Sequence, residues 1–135
     1  MSKYKRAYKP STDKNELEIK KGLEKYGAIV QTGHDDLLVS YHDKLKQIEI
    51  KEQTPFTKKN TFKKGYIKPS QIKLLETMND NYAICWTLQQ CYDFLNGHDG
   101  DYITPSKYLE NMLKWNPSSK LTPADIGFNN FVRGL

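Results

Sequence analysis

Two apolar runs within residues 36–51 are separated only by the short polar segment His42-Asp43-Lys44. Each run is long enough for a strand and the polar segment suits a turn, so the pattern predicts a β-hairpin. Because side chains alternate along a strand, Glu49 and Lys51 face one side of the sheet and the neighbouring isoleucines face the other. The hairpin also brings Asp36, at the start of the first run, beside Glu49. The chain is therefore expected to fold around an antiparallel pair that carries acids and a lysine on one face.

This combination of residues is suited to the hydrolysis of a phosphodiester bond. Mg²⁺ prefers a few carboxylate oxygens and keeps several waters, so Asp36 and Glu49 form a plausible partial ligand set, with Mn²⁺ as a substitute. A bound metal lowers the pKa of a coordinated water, and the ammonium of Lys51 can orient that water or offset charge on the phosphate. The same Glu-x-Lys spacing is also common as a solvated ion pair on an exposed strand. The motif alone leaves that alternative open.

A third carboxylate comes from an amphipathic helix predicted for residues 13–27, which ends at Gly27. Glu16 lies near the apolar stripe of this helix and is turned toward the core. An alternative stays open, because Asp13-x-x-Glu16 also matches a capping box, in which Glu16 has no chemical role. The residues expected to face inward on this helix are Ile19, Leu23 and Tyr26.

From about Asp13 to Thr87, these residues resemble the PD-(D/E)xK nucleases, and within them the archaeal Holliday-junction resolvases and the VRR-NUC group. In the resolvases a helical Glu precedes a Leu and then a Gly at the end of the helix, and VRR-NUC proteins carry a further Gln at the start of a later helix. Asp35 replaces the Pro that usually precedes the motif Asp, so Asp35 and Asp36 are both candidates; the start of the apolar run favours Asp36. The matching positions here are Glu16, Leu23, Gly27, Asp36, Glu49, Lys51 and Gln71.

The resemblance implies an α/β fold with a restriction-endonuclease-like core of order α-β-β-β-α-β, a mixed central sheet flanked by helices, and added C-terminal helices. It implies a Mg²⁺-dependent endonuclease that acts on branched or otherwise structured DNA in recombination or repair and leaves 5′-phosphate and 3′-hydroxyl ends. Cutting two strands of a junction further implies a two-fold homodimer. The expected ligands are Asp36, Glu49 and the Ile50 carbonyl, with Glu16 acting through a water. Gln71 is expected, on the resemblance alone, to orient Lys51 or a phosphate.

Two basic segments are expected to bind nucleic acid, because lysines interleaved with aromatic residues suit phosphate contacts and base stacking. One is an N-terminal arm that includes Lys5 and Arg6. The other is a loop between the Glu-x-Lys strand and the Gln71 helix, which its place in the chain predicts to lie beside the metal site. A solvated loop that carries charge for solubility is the alternative. The loop residues are Lys58, Lys59, Lys63, Lys64, Tyr66 and Lys68.

The predicted organisation is a basic arm at 1–12, a nuclease core at 13–103 and a helical extension at 104–135. Thr104-Pro105 and Thr122-Pro123 each predict a helix start in that extension. The helix that begins at Thr104-Pro105 is expected to carry on one face Tyr108, Leu109, Met112 and Leu113. No apolar stretch approaches membrane length and no apolar leader is present, so we expect a cytoplasmic protein of a bacterial or phage-infected cell, with no membrane partner. Cys85 and Cys91 are expected to be reduced core residues.

Two alternative functions, neither of them enzymatic, are compatible with the same fold. The domain could bind nucleic acid without cutting it, or act as a small phage-type inhibitor of a host protein. The short length and the Lys-, Asn- and Tyr-rich composition are compatible with the inhibitor. The complete set of three acids and a lysine favours the enzyme.

Overall fold

The computed structural model describes residues 11–31 and 36–119 of the 135-residue chain, without the side chains of residues 11–14. These residues form a four-stranded, open, mixed sheet with helices, so the predicted α/β class is confirmed. In chain order the elements are α1 (Ser11–Lys25), β1 (Ile29–Gln31), β2 (Leu37–Tyr41), β3 (Lys44–Ile50), α2 (Pro69–Thr77), β4 (Tyr82–Cys85), α3 (Leu88–Asn96) and α4 (Pro105–Trp115).

The strands lie in the order β1-β2-β3-β4, with β1, β2 and β3 joined as antiparallel neighbours. The predicted hairpin between β2 and β3 is present, and its turn consists of His42 and Asp43, since Tyr41 already pairs with Lys44. Both turn residues have positive φ, 51° and 62°. Two successive residues with positive φ are typical of a type I′ turn, whose backbone twist matches the twist of the two strands that it joins.

The chain divides into two compact units. Among the described residues, the first combines those between 11 and 54 with 84–102, and the second combines 55–83 with 103–119. The predicted 13–103 core is therefore shared between the two units, and the helix that begins at Pro105 belongs with residues 55–83. This grouping depends on contacts between distant parts of the chain, which periodicity along the sequence does not reveal.

In the first unit, α1 lies against β1, β3 and α3. Its residues Ile19 and Leu23 are buried as predicted, but Tyr26 is 45% exposed, so its predicted place in the core was wrong. Tyr26 instead packs at the surface against the rings of Tyr41 and Tyr92, with centroids 5.5 Å and 4.4 Å away. It lies just beyond the last helical turn, where the helical period no longer decides which way a side chain faces.

In the second unit, α2 and α4 pack together. Thr104 caps α4 as predicted, since its hydroxyl accepts a hydrogen bond from the backbone N–H of Lys107 at 3.3 Å. Tyr108 and Met112 are buried, whereas Leu113, which was predicted to share their face, is 67% exposed. Leu113 lies at the edge of the apolar stripe, and the stripe of α4 is narrower than the sequence suggested.

Cys85 and Cys91 are both buried in the core, as predicted, and no disulfide joins them. Among the residues that the structure describes, no helix has the length and apolar character needed to cross a membrane.

Candidate active site

The β2–β3 register determines which residues share a face of the first unit. Leu37 pairs with Ile48, so continuing the register by one residue places Asp36 opposite Glu49. Residues directly opposite each other on antiparallel strands project to the same side, with Cβ atoms about 5 Å apart. The predicted approach of Asp36 to Glu49 therefore follows from the observed register.

A side-chain contact supports this placement of Asp36. The Nε2 of Gln47 donates a hydrogen bond to Oδ2 of Asp36. Gln47 has the same strand parity as Glu49 and Lys51, whereas Ile48 has the opposite parity and is fully buried in the core. The carboxylate of Asp36 thus lies on the polar side of the sheet, the side that also carries the Glu-x-Lys motif.

Glu49 and Lys51 are both buried, with 5% and 7% of their surfaces exposed. Lys51 Nζ lies 4.0 Å from Glu49 Oε2. Charged residues of these types are rarely buried unless they are paired, and removing two charges from water is costly. The motif is therefore not the solvated ion pair of an exposed strand, which was the alternative that the sequence left open.

The N-terminal half of α1 reaches the end of β3. Asn15 Nδ2 donates a hydrogen bond to the backbone oxygen of Lys51 at 2.9 Å, and Lys51 N–H donates to the oxygen of Cys85 at 2.8 Å. These two bonds hold the backbone of Lys51 from both sides. Glu16, which is partly buried, follows Asn15 directly. The third acid, Glu16, therefore lies next in sequence to Asn15, which hydrogen-bonds to the backbone of the motif lysine.

The capping-box alternative for Glu16 requires Asp13 to be the residue just before the helix. The helix begins at Ser11, so Asp13 lies within it. An N-cap residue has non-helical backbone angles, which Asp13 does not have. This arrangement does not support the capping role.

Two further polar residues contact the same region and were missed from the sequence. Gln47 supports Asp36, and its parity with Glu49 was an available signal. Asn15 has no such signal, because its partner is a backbone oxygen 36 positions away. Glu52, directly after the motif lysine, has a buried Oε2 that accepts no hydrogen bond from the described residues.

The described carboxylates provide only part of the ligand set of a magnesium ion. Mg²⁺ is commonly held by one or two carboxylates and otherwise by water and phosphate oxygens, and Asp36 and Glu49 provide such a pair on one face. Within residues 11–31 and 36–119, no group of three or more His, Cys, Asp or Glu side chains is arranged to hold a metal ion. Asp35, the alternative ligand, lies outside the described residues.

Gln71 belongs to the second unit and is the third residue of α2. It is buried, and its Oε1 accepts a hydrogen bond from the backbone N–H of Lys68 at 3.0 Å. This bond satisfies one of the free N–H groups at the start of the helix. Gln71 therefore has a structural task of its own, and its predicted role toward Lys51 or a phosphate stays a prediction.

The basic loop of the second unit is folded. Phe56 and Phe62 form a bridge across a short turn, and their rings lie 5.4 Å apart. Lys58 and Lys59 are at the exposed tip of this turn. Lys63 Nζ lies 5.6 Å from the centre of the Tyr66 ring, which is within the range of a cation–π contact. Lys64 and Lys68 are exposed.

Positive charge is concentrated in the first part of the second unit. Residues 55–75 contain six lysines and no acidic residue. An uninterrupted positive stretch of this kind attracts polyanions. Lys5 and Arg6 of the basic arm, and the helix start at Thr122-Pro123, lie outside the described residues.

Comparison with models of protein families, with curated proteins and with solved structures found no match to this chain. The resemblance to the PD-(D/E)xK nucleases therefore depends on the motif residues alone.

Proposed function

We propose that this protein is a metal-dependent endonuclease that hydrolyses phosphodiester bonds in DNA, with branched or otherwise structured DNA as its substrate. The observation that carries the proposal is the buried Glu49–Lys51 pair on the face that Asp36 shares. A Glu-x-Lys pair exposed to solvent would cost little to keep and would not by itself indicate a function. A buried acid and base beside a second carboxylate is costly to maintain and is suited to metal-dependent hydrolysis of a phosphodiester bond.

Each proposed role follows from the position and chemistry of the residue. Asp36 and Glu49 would hold Mg²⁺ together with the backbone carbonyl of Ile50, and Glu16 would act through a water. When bound, the metal supplies Lewis acidity and lowers the pKa of its coordinated water. Gln47 keeps the carboxylate of Asp36 oriented. Lys51 positions the attacking water and offsets the negative charge that builds up on the phosphate.

The proposal also includes a restriction-endonuclease-like core for the fold. The element order α1, β1, β2, β3, α2, β4 is the order of a restriction-endonuclease-like core. Under the proposal, Glu16 on α1, the antiparallel β2–β3 pair and the Glu-x-Lys motif at the end of β3 would be the parts of that core that carry the site. A two-fold homodimer would supply the two sites needed to cut two strands of a junction.

Binding of DNA would draw on the basic loop. Its exposed lysines are suited to phosphate contacts that do not depend on sequence, and each contact that is lost should flatten the salt dependence of binding. Binding that is insensitive to base sequence fits an enzyme that recognises the shape of its substrate.

The proposal is tested by incubating the protein with four-way junction, flap, linear duplex and single strand in Mg²⁺, Mn²⁺ or EDTA. We expect cleavage in either metal, none in EDTA, and at least a hundredfold slower cleavage by Glu49→Gln. Glu18→Gln is the matched control, because Glu18 is an exposed acid on α1 and should leave the rate unchanged. Binding of DNA without cleavage of any substrate would replace the enzyme by a non-catalytic binding module.

A further inference from the structure

A half-open cavity of about 360 Å³ lies within the second unit. It is formed by residues 61–65 and Ile67 of the basic loop, by Ile72 of α2 and by residues 115–118 at the end of α4. Pockets that hold small ligands have volumes of about 300–1,000 Å³. This cavity is at the lower end of that range, so it suits one small planar group rather than several stacked groups.

The walls of the cavity are aromatic and aliphatic. Phe62 and Trp115 both line it, with ring centroids 6.0 Å apart and planes inclined by 39°. The ring of Phe62 is also stacked on Tyr108, at 6.0 Å and 6°. Ile67 and Ile72 add apolar surface. Surfaces of this kind bind the faces of nucleobases in a way that tolerates any base.

The backbone holds the aromatic wall in place. Phe62 N–H donates a hydrogen bond to the oxygen of Trp115 at 2.7 Å, and Lys63 N–H donates to the oxygen of Pro55 at 2.7 Å. Trp115 is further packed against Phe56, with ring centroids 5.0 Å apart. The cavity is therefore formed before a ligand arrives, which lowers the entropic cost of binding.

The charge around the cavity indicates an anionic ligand. Lys63 and Lys64 are among its lining residues, and none of the lining residues is acidic. An apolar peptide would gain nothing from these lysines. A nucleotide combines a flat apolar base with a phosphate, and so matches both the wall and the rim of the cavity.

We propose that this cavity takes one unstacked nucleobase, while Lys63 and Lys64 contact the phosphates that flank it. The inference rests on the proposed function, because it takes DNA as the ligand, and it specifies the substrate further. A base inside a continuous duplex is paired and stacked, and extracting it costs a few kcal/mol. Branch points, flaps and single strands offer bases at a smaller cost, so the cavity would favour such structures.

The test compares two single-stranded decamers in EDTA by fluorescence anisotropy, one of thymidines and one with the same phosphates but abasic sites. Stacking of one base contributes about 1–3 kcal/mol, so we expect the thymidine decamer to bind about 5- to 150-fold more tightly. Ser118→Phe fills the cavity from an exposed position on its rim and should abolish this preference. Ser106→Phe, an exposed serine that does not line the cavity, should preserve it.

The lysines are tested in pairs of equal charge. Lys63→Gln with Lys64→Gln should weaken both decamers by more than Lys58→Gln with Lys59→Gln, since only the first pair lines the cavity. Equal weakening by the two pairs would overturn the assignment of the phosphate contacts.

Equal affinity of the wild-type protein for both decamers would overturn the proposal. A preference that survives in Ser118→Phe would also overturn it, because the base would then bind elsewhere. The outcome is separable from that of the proposed function. Cleavage without a base preference removes this inference alone, whereas failure to bind either decamer, together with failure to cut any DNA, removes both.

Discussion

Removing either charge of the buried Glu49–Lys51 pair should destabilise the protein strongly, whereas removing both should recover most of the loss. Nζ and Oε2 lie 4.0 Å apart, and two unit charges at that distance attract by about 4 kcal/mol at an effective dielectric constant near 20. Glu49→Gln or Lys51→Met alone leaves the other charge buried, which typically costs about 3–5 kcal/mol. For a chain of this length, that loss lowers Tm by about 10–15 °C.

Urea and thermal unfolding, followed by circular dichroism, would give the free energy of unfolding of the wild type, the two single variants and the double variant. Lys44→Met and Glu18→Gln remove exposed charges and should change that free energy by less than about 0.5 kcal/mol. Losses that add in the double variant would refute the reasoning, because two groups that do not interact contribute independently.

Three smaller predictions concern other parts of the fold. Asp43 has φ of 62°, so Asp43→Gly should raise the free energy of unfolding by about 0.5 kcal/mol in a urea titration, and a decrease would contradict the turn assigned here. Gly97 ends α3 with φ of 72°, so Gly97→Ala should lower that free energy by about 1 kcal/mol, and a neutral result would show that the helix does not depend on this cap. Burial raises the pKa of the Glu76 carboxyl. The folded state therefore holds this proton more tightly than the unfolded state does, and ionisation of Glu76 opposes folding above the raised pKa. Glu76→Gln should raise Tm at pH 7, and this gain should vanish below pH about 4, where the carboxyl is protonated in both states. Thermal melts at pH 7 and below pH about 4 check the last prediction, and a gain in Tm that persists in acid would contradict it.

Local patterns of the sequence predicted most of the regular structure. The helical period located α1, the two apolar runs located β2 and β3, and Thr104-Pro105 located the start of α4. Tyr26 and Leu113 were misplaced, since each lies where an apolar stripe ends and tertiary contacts decide its exposure. The folded state of the basic loop was not predicted, because it depends on the contact of Phe62 with Trp115, 53 positions further along the chain.

The candidate site was predictable only in part. Strand parity indicated that Glu49 and Lys51 share a face, and the turn indicated that Asp36 would approach them. Parity does not reveal whether that face is covered, so the burial of the pair could not be derived from the sequence. The contact of Asn15 with the Lys51 backbone is likewise a tertiary detail that no spacing rule predicts.

The most direct test of the proposed nuclease is to map the ends produced from a labelled four-way junction in Mg²⁺, with wild-type protein and Glu49→Gln in parallel. The wild type should cut the junction and leave 5′-phosphate and 3′-hydroxyl ends, and Glu49→Gln, if folded, should leave the junction intact. Cleavage by Glu49→Gln at the wild-type rate, or a wild type that cuts neither this junction nor any other DNA, would contradict the account.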